Sequence, residues 1–151
     1  MLKYCRDKWE ENKDKLEKAL REKNGLNNCS YITLVEMVVE YILNPSSGYG
    51  DTYDKKKITL IDNGDYQGTQ LFMIPLDTYQ PSEYEYLLTH VSYGSCSGCD
   101  TLLSIQDWND GKLTDSQVKD FMGLCKGLVC NIIKPYNAGW RNNDKYTEIA
   151  Q

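Results

Sequence analysis

The chain has 151 residues, 40% of them hydrophobic and 26% charged, with a net charge of −5; that suffices for one core and one domain, and no run approaches the roughly 20 apolar residues of a membrane helix. The acid excess is uneven: residues 1–24 carry 6 acids against 8 bases, residues 25–110 carry 12 against 3, and residues 111–151 carry 4 against 6. A middle this acidic repels a phosphate backbone, so direct nucleic-acid binding is disfavoured and a basic protein partner favoured, plain solubility being the simpler use of the same charge.

The first residues, Met-Leu-Lys-Tyr-Cys-Arg-Asp-Lys, are charged where a secretory signal needs an apolar run, so a cytoplasmic protein is expected. Residues 3–23 alternate charge at i,i+4, with Glu11 and Lys15, Asp14 and Lys18, and Glu17 and Arg21 in acid-first order. The apolar stripe Leu2, Cys5, Trp9, Leu16, Ala19 and Leu20 predicts a surface helix docked through one seam, stopped at Asn24-Gly25. Ser30 stands where a second helix can be capped, and Tyr31 to Leu43 is apolar around most of its circumference, which places that helix centrally. Residues 1–43 are thus read as helical, and Asn44-Pro45-Ser46-Ser47-Gly48-Tyr49-Gly50 as a mobile loop.

Strand patterns follow within residues 55–93: Lys57 to Ile61, Gln70 to Ile74, and Tyr84 to Tyr93, with a reversal at Asn63-Gly64. Short connections predict an antiparallel meander of three strands. Residues 100–134 return to helix, first a short one over Thr101 to Trp108. Leu113-Thr114-Asp115-Ser116-Gln117-Val118 then combines a capping box at Thr114 and Gln117 with a Leu113 to Val118 staple. Val118, Phe121, Met122, Cys125, Leu128, Val129, Ile132 and Ile133 continue one face until Lys134-Pro135. Residues 142–151 form a polar tail. The expected fold class is α+β.

A reducing compartment turns six cysteines toward metal binding or redox chemistry, with disulfides the minor alternative. Cys96-Ser97-Gly98-Cys99 lies where a strand gives way to a helix, as in a zinc knuckle, and two thiolates on such a turn can share one ion. Zinc needs four ligands. Cys125, on the inward face of the last helix, is the first choice for the third. Cys29, Cys130, Cys5 and His90 remain open for the fourth, although Cys125 and Cys130 are separated by about 140° around a helix. Buried Cys5 and Cys125 are also ordinary small core residues. A thioredoxin-like role for Cys96 and Cys99 would require a βαβ setting, which the element order lacks. His90 is the only histidine, and no P-loop or nucleophile elbow occurs, so no catalytic residues are assigned.

Tyr53, Tyr66, Tyr79, Tyr84, Tyr86 and Tyr93 are interleaved with acids, a mixture that suits recognition of Arg and Lys as well as ordinary core and surface roles. The candidate partner-binding residues are Asp77, Tyr79, Glu83, Tyr84 and Glu85.

The runs Asp65-Tyr66-Gln67-Gly68-Thr69, Tyr79-Gln80-Pro81-Ser82-Glu83-Tyr84-Glu85-Tyr86, Tyr93-Gly94-Ser95-Cys96-Ser97-Gly98-Cys99-Asp100-Thr101-Leu102 and Ile133-Lys134-Pro135-Tyr136-Asn137 resemble small proteins encoded by phages and prophages of Gram-positive bacteria. Among such proteins are metal-containing anti-CRISPR inhibitors of type II systems, to which this chain is similar in size, acidity and cysteine content. The resemblance implies a stoichiometric, zinc-stabilised inhibitor that binds a host Cas9 and blocks a step of DNA recognition. A phage structural or regulatory adaptor, or a thiol redox protein, are the alternatives.

Overall fold

In the computed structural model the described residues are 1–44, 51–65, 67–82, 85–95, 98, 100–109 and 111–134. The expected loop at 45–50, the tail from 142, Cys96, Cys99, Glu83, Tyr66 and Tyr84 lie outside them.

The architecture is α+β: helices α1 (Lys3–Glu22) and α2 (Tyr31–Val38), strands β1 (Thr59–Asp62), β2 (Gly68–Pro75) and β3 (Tyr86–Tyr93), then α3 (Thr101–Ile105) and α4 (Asp115–Cys130). The sheet is antiparallel in the order β1-β2-β3. α1 ends at Glu22 with Lys23 already extended, and Gly25, with a φ of 85°, the left-handed conformation glycine adopts without strain, opens the Leu26–Asn28 turn that follows. Gly64 is needed for a different reason: a Cβ on it would run into the Gln67 carbonyl inside the β1–β2 turn.

The seam of α1 contains a residue that hydropathy passes over. Asn12 is only 3% exposed, among Cys5, Trp9, Leu16 and Leu20. Its Nδ2 donates to the Ile42 carbonyl at 2.9 Å. That carbonyl lies in a π-helical turn, Val39–Leu43, that continues α2, with Asn44 N–H reaching back to Val39. Wider turns misalign carbonyls from their usual partners, and a neighbouring side chain can fill the gap. The helix over Tyr31–Leu43 thus runs at its expected length but changes pitch. Ser30 occupies the N-cap position without a side-chain cap bond, its carbonyl accepting from Thr33 N–H, which corrects the expected hydroxyl cap.

The capping box of α4 is formed on both sides: Gln117 N–H donates to Thr114 Oγ1 at 3.2 Å and Thr114 N–H to Gln117 Oε1 at 3.1 Å. α3 stops at Ile105, three residues short of expectation, because Gln106 turns its amide onto the Leu26 and Cys29 carbonyls. The helices cover one face of the sheet, burying Phe72, Ile74, Leu87 and Thr89, and the Thr89 hydroxyl donates to the Leu128 carbonyl at 2.6 Å.

Candidate protein-interaction face and cysteine cluster

Side chains alternate across a sheet, so the partners of the buried set point the other way. Register places Thr59, Met73 and Leu88 in one row, with Ile133 bridged to Leu88 at the sheet's edge, and Ile61, Leu71 and His90 in the next. Ile61 is 47% exposed and Ile133 42%; Leu71, Met73, Tyr86 and Leu88 are half-buried and are not packed into the core. None of the four described helices lies on this face. A contiguous apolar surface left open this way marks an interaction site more often than chance exposure.

One end of the face carries the β2–β3 connection, residues 76–85. Of the candidate partner-binding residues, Asp77, Tyr79 and Glu85 fall on it, while Glu83 and Tyr84 lie outside the described residues. Asp77 is exposed, and Tyr79 is 93% exposed, a large aromatic presented to solvent. Glu85 does a local task as well, its Oε1 accepting from Ser82 N–H at 3.2 Å and Ser82 Oγ at 3.1 Å. Several other central acids are similarly engaged: Glu40 pairs with Lys55 at 2.8 Å, Asp54 caps the turn at Lys56, and Asp62 accepts from Tyr93, Gly64 and Gln70. Tyr93 holds the Asp62 carboxyl below its usual range and is itself pushed up to about 12 by that carboxylate. Tyr53 is a core residue. The six tyrosines of the central stretch therefore do not form one recognition face, and among those described only Tyr79 is freely displayed.

Cys125 is buried at the centre of α4, and burial, with the Cys29 thiol beside it, pushes its pKa up to about 12. Cys29 is raised to about 11, also by burial, and Gln106 Nε2 lies 3.8 Å from its sulfur. Cys5 is buried on α1, and burial raises its thiol to about 12, with a smaller raising effect from Cys130. His90 is exposed on the outer face of the sheet. Of the four candidates for the fourth ligand, Cys29 is the one whose charge acts on Cys125. Among the described residues no group of three or more His, Cys, Asp or Glu gathers at one point.

No family model, curated protein or solved structure matches this chain.

Asp100 joins Gly94, at the end of β3, to the start of α3. This carboxylate is 6% exposed; Oδ2 accepts from Gly94 N–H at 2.9 Å, and Oδ1 from the Tyr31 hydroxyl at 2.7 Å and from Leu103 N–H at 3.1 Å, which caps α3. The Tyr31 oxygen in turn accepts from Leu102 N–H at 3.0 Å. Burial, then the Asp100 bond, raises the Tyr31 pKa well above its ordinary 10.0. A second polar clasp ties the Leu26–Asn28 turn to α4: Asn27 Oδ1 accepts from Gln117 Nε2 at 2.7 Å and from Asp107 N–H at 2.9 Å. Periodicity does not reveal such residues. The outer-face residues did leave a signal, since Leu71-Phe72-Met73-Ile74 is apolar without alternation, the pattern of a strand that needs cover on both faces.

Proposed function

We propose that this chain is a non-catalytic binding protein that docks through the outer face of its sheet and the adjoining Asp77–Tyr79 turn onto a basic surface of a partner protein. The partner to which the sequence resemblance directs the proposal is a type II CRISPR nuclease, Cas9, in the cytosol of a Gram-positive bacterium. Docking there would block a step of DNA recognition stoichiometrically.

The observation that carries this reading is the apolar patch of exposed Ile61 and Ile133 with half-buried Leu71, Met73 and Leu88, which none of the described helices covers, beside an exposed tyrosine. Apolar area supplies affinity at the centre of an interface, and aromatic anchors at its edge are frequent hot spots. The net charge of −5 supports approach to a cationic groove, because long-range attraction raises the association rate.

Structural zinc belongs to the same proposal. Cys125 and Cys29 would supply two thiolates, and Cys96 and Cys99 the other two. The donor set fits: soft sulfur ligands suit zinc, and four close a structural site. The buried Cys125 thiol and the partly buried Cys29 thiol, both with pKa values raised by burial and the second raising the first, support the assignment, because a cation would relieve the cost of ionising them there.

Binding to guide-loaded Cas9, measured by biolayer interferometry at two salt concentrations, tests the docking. Affinity should fall as salt rises, since exposed charges are screened beyond about 8–10 Å at moderate ionic strength. Tyr79→Ala should weaken it, and absence of measurable binding would defeat the Cas9 assignment. Elemental analysis of protein purified without added metal should find one zinc per chain.

A further inference from the structure

β3 continues past the point at which its outer edge is paired. Leu88 exchanges N–H and C=O bonds with Ile133 across that edge, at 2.9 and 2.8 Å. In an antiparallel ladder the backbone groups of alternate residues point the same way, so those of His90 and Ser92 also face away from β2. The His90 carbonyl accepts from Asn131 Nδ2 at 3.1 Å. The His90 N–H and both backbone groups of Ser92 have no backbone partner among the described residues.

Beside this edge lies a cleft of about 490 Å³ between β3, α3 and α4. Val91, Ile105, Leu124 and Leu128 make it apolar, and the exposed Asp120 stands on its rim. The α4 wall is formed partly by Gly123 and Gly127. A Cβ at either would meet nothing within 4 Å among the described residues, so packing against them gives no reason for two residues that weaken a helix. They bring the wall down to backbone and widen the cleft.

We infer that this cleft takes an extended peptide segment of a partner protein, added as a strand along His90–Ser92, with alternate side chains entering between α3 and α4. Peptide addition to a strand edge flanked by a helix uses the main chain for affinity and side-chain pockets for specificity. The backbone groups left open repeat every second residue, the spacing at which an extended peptide presents its own donors and acceptors. The lining calls for apolar residues at the inward positions and a basic one opposite Asp120. This site is distinct from the outer sheet face and stands whether or not that face docks on Cas9.

The test pans a displayed library of random octapeptides against the full chain, then measures the enriched peptides by fluorescence anisotropy. Expected are sequences with apolar residues two apart and a nearby Lys or Arg. Binding should slow amide exchange at His90 and Ser92. Gly127→Leu, which fills the cleft, should weaken binding at least tenfold without lowering the melting temperature. Ser92→Pro, which removes an outward N–H, should do the same and serves if Gly127→Leu misfolds. The inference is overturned if no peptide is enriched, or if both variants bind as the parent does. It is also overturned if peptides bind only after residues 135–151 are deleted, or if sedimentation shows copies of the chain pairing through this edge.

Discussion

Replacing Asp100 by alanine removes the acceptor on which three elements converge. The buried Gly94 N–H and the Tyr31 hydroxyl proton each lose their partner, and α3 loses its cap. A buried donor left without an acceptor costs about 1–3 kcal/mol, and an N-cap about 1 kcal/mol. Allowing for non-additivity among groups that share one carboxylate, Asp100→Ala should destabilise by ~3–5 kcal/mol, a large part of the 5–15 kcal/mol typical of a domain. At this chain length that lowers the melting temperature by roughly 6–20 °C. Asp100→Asn retains one oxygen and should cost less, because it can serve Tyr31 and Leu103 or Gly94 but not both sides. Tyr31→Phe should cost about 1–2 kcal/mol, leaving Leu102 N–H without its acceptor. Urea unfolding at 25 °C followed by circular dichroism provides the values. An Asp100→Ala protein within 0.5 kcal/mol of the parent would refute the clasp.

Thr114→Ala breaks the capping box and should lower stability by about 1 kcal/mol in the same assay. Cys5, raised by burial from 9.0 to about 12, stays protonated in the folded chain while its unfolded counterpart ionises, so its contribution is intact below pH 9 and is lost as pH rises toward 12. The urea midpoint should therefore fall between pH 9 and 11, and Cys5→Ala should flatten that fall. Tyr79→Ala should leave the midpoint within about 0.5 kcal/mol of the parent, because its ring is in solvent.

Local chemistry made much of the fold legible. The capping box and the Asn63-Gly64 reversal act over a few residues, and each is where its residue types predict, while α1 ends at Glu22, just before the Asn24-Gly25 stop, and Gly25 opens the next turn. Strand order followed from short connections. What the sequence concealed is cooperative over long separations: Asn12 meeting Ile42, Asn27 meeting Gln117, and Asp100 joining Tyr31 to Gly94 are polar pairings without a period. The cysteines were legible in type but not in neighbour. Cys125 is buried and Cys130 only partly so, and which cysteine acts on each depends on how α1 and the start of α2 dock. Charge counting overstated the acidic face, because Glu40, Asp54, Asp62 and Asp100 are spent on pairs, caps and turns.

The outer sheet face is the centre of the functional proposal, and DNA cleavage by guide-loaded Cas9 from a Gram-positive host tests it most directly. The parent chain should abolish cleavage near one equivalent, whereas Met73→Lys and Leu88→Lys, folded as judged by circular dichroism, should restore it. Cleavage unchanged at several-fold excess of the parent, or inhibition by both variants at the parent's potency, would contradict the account.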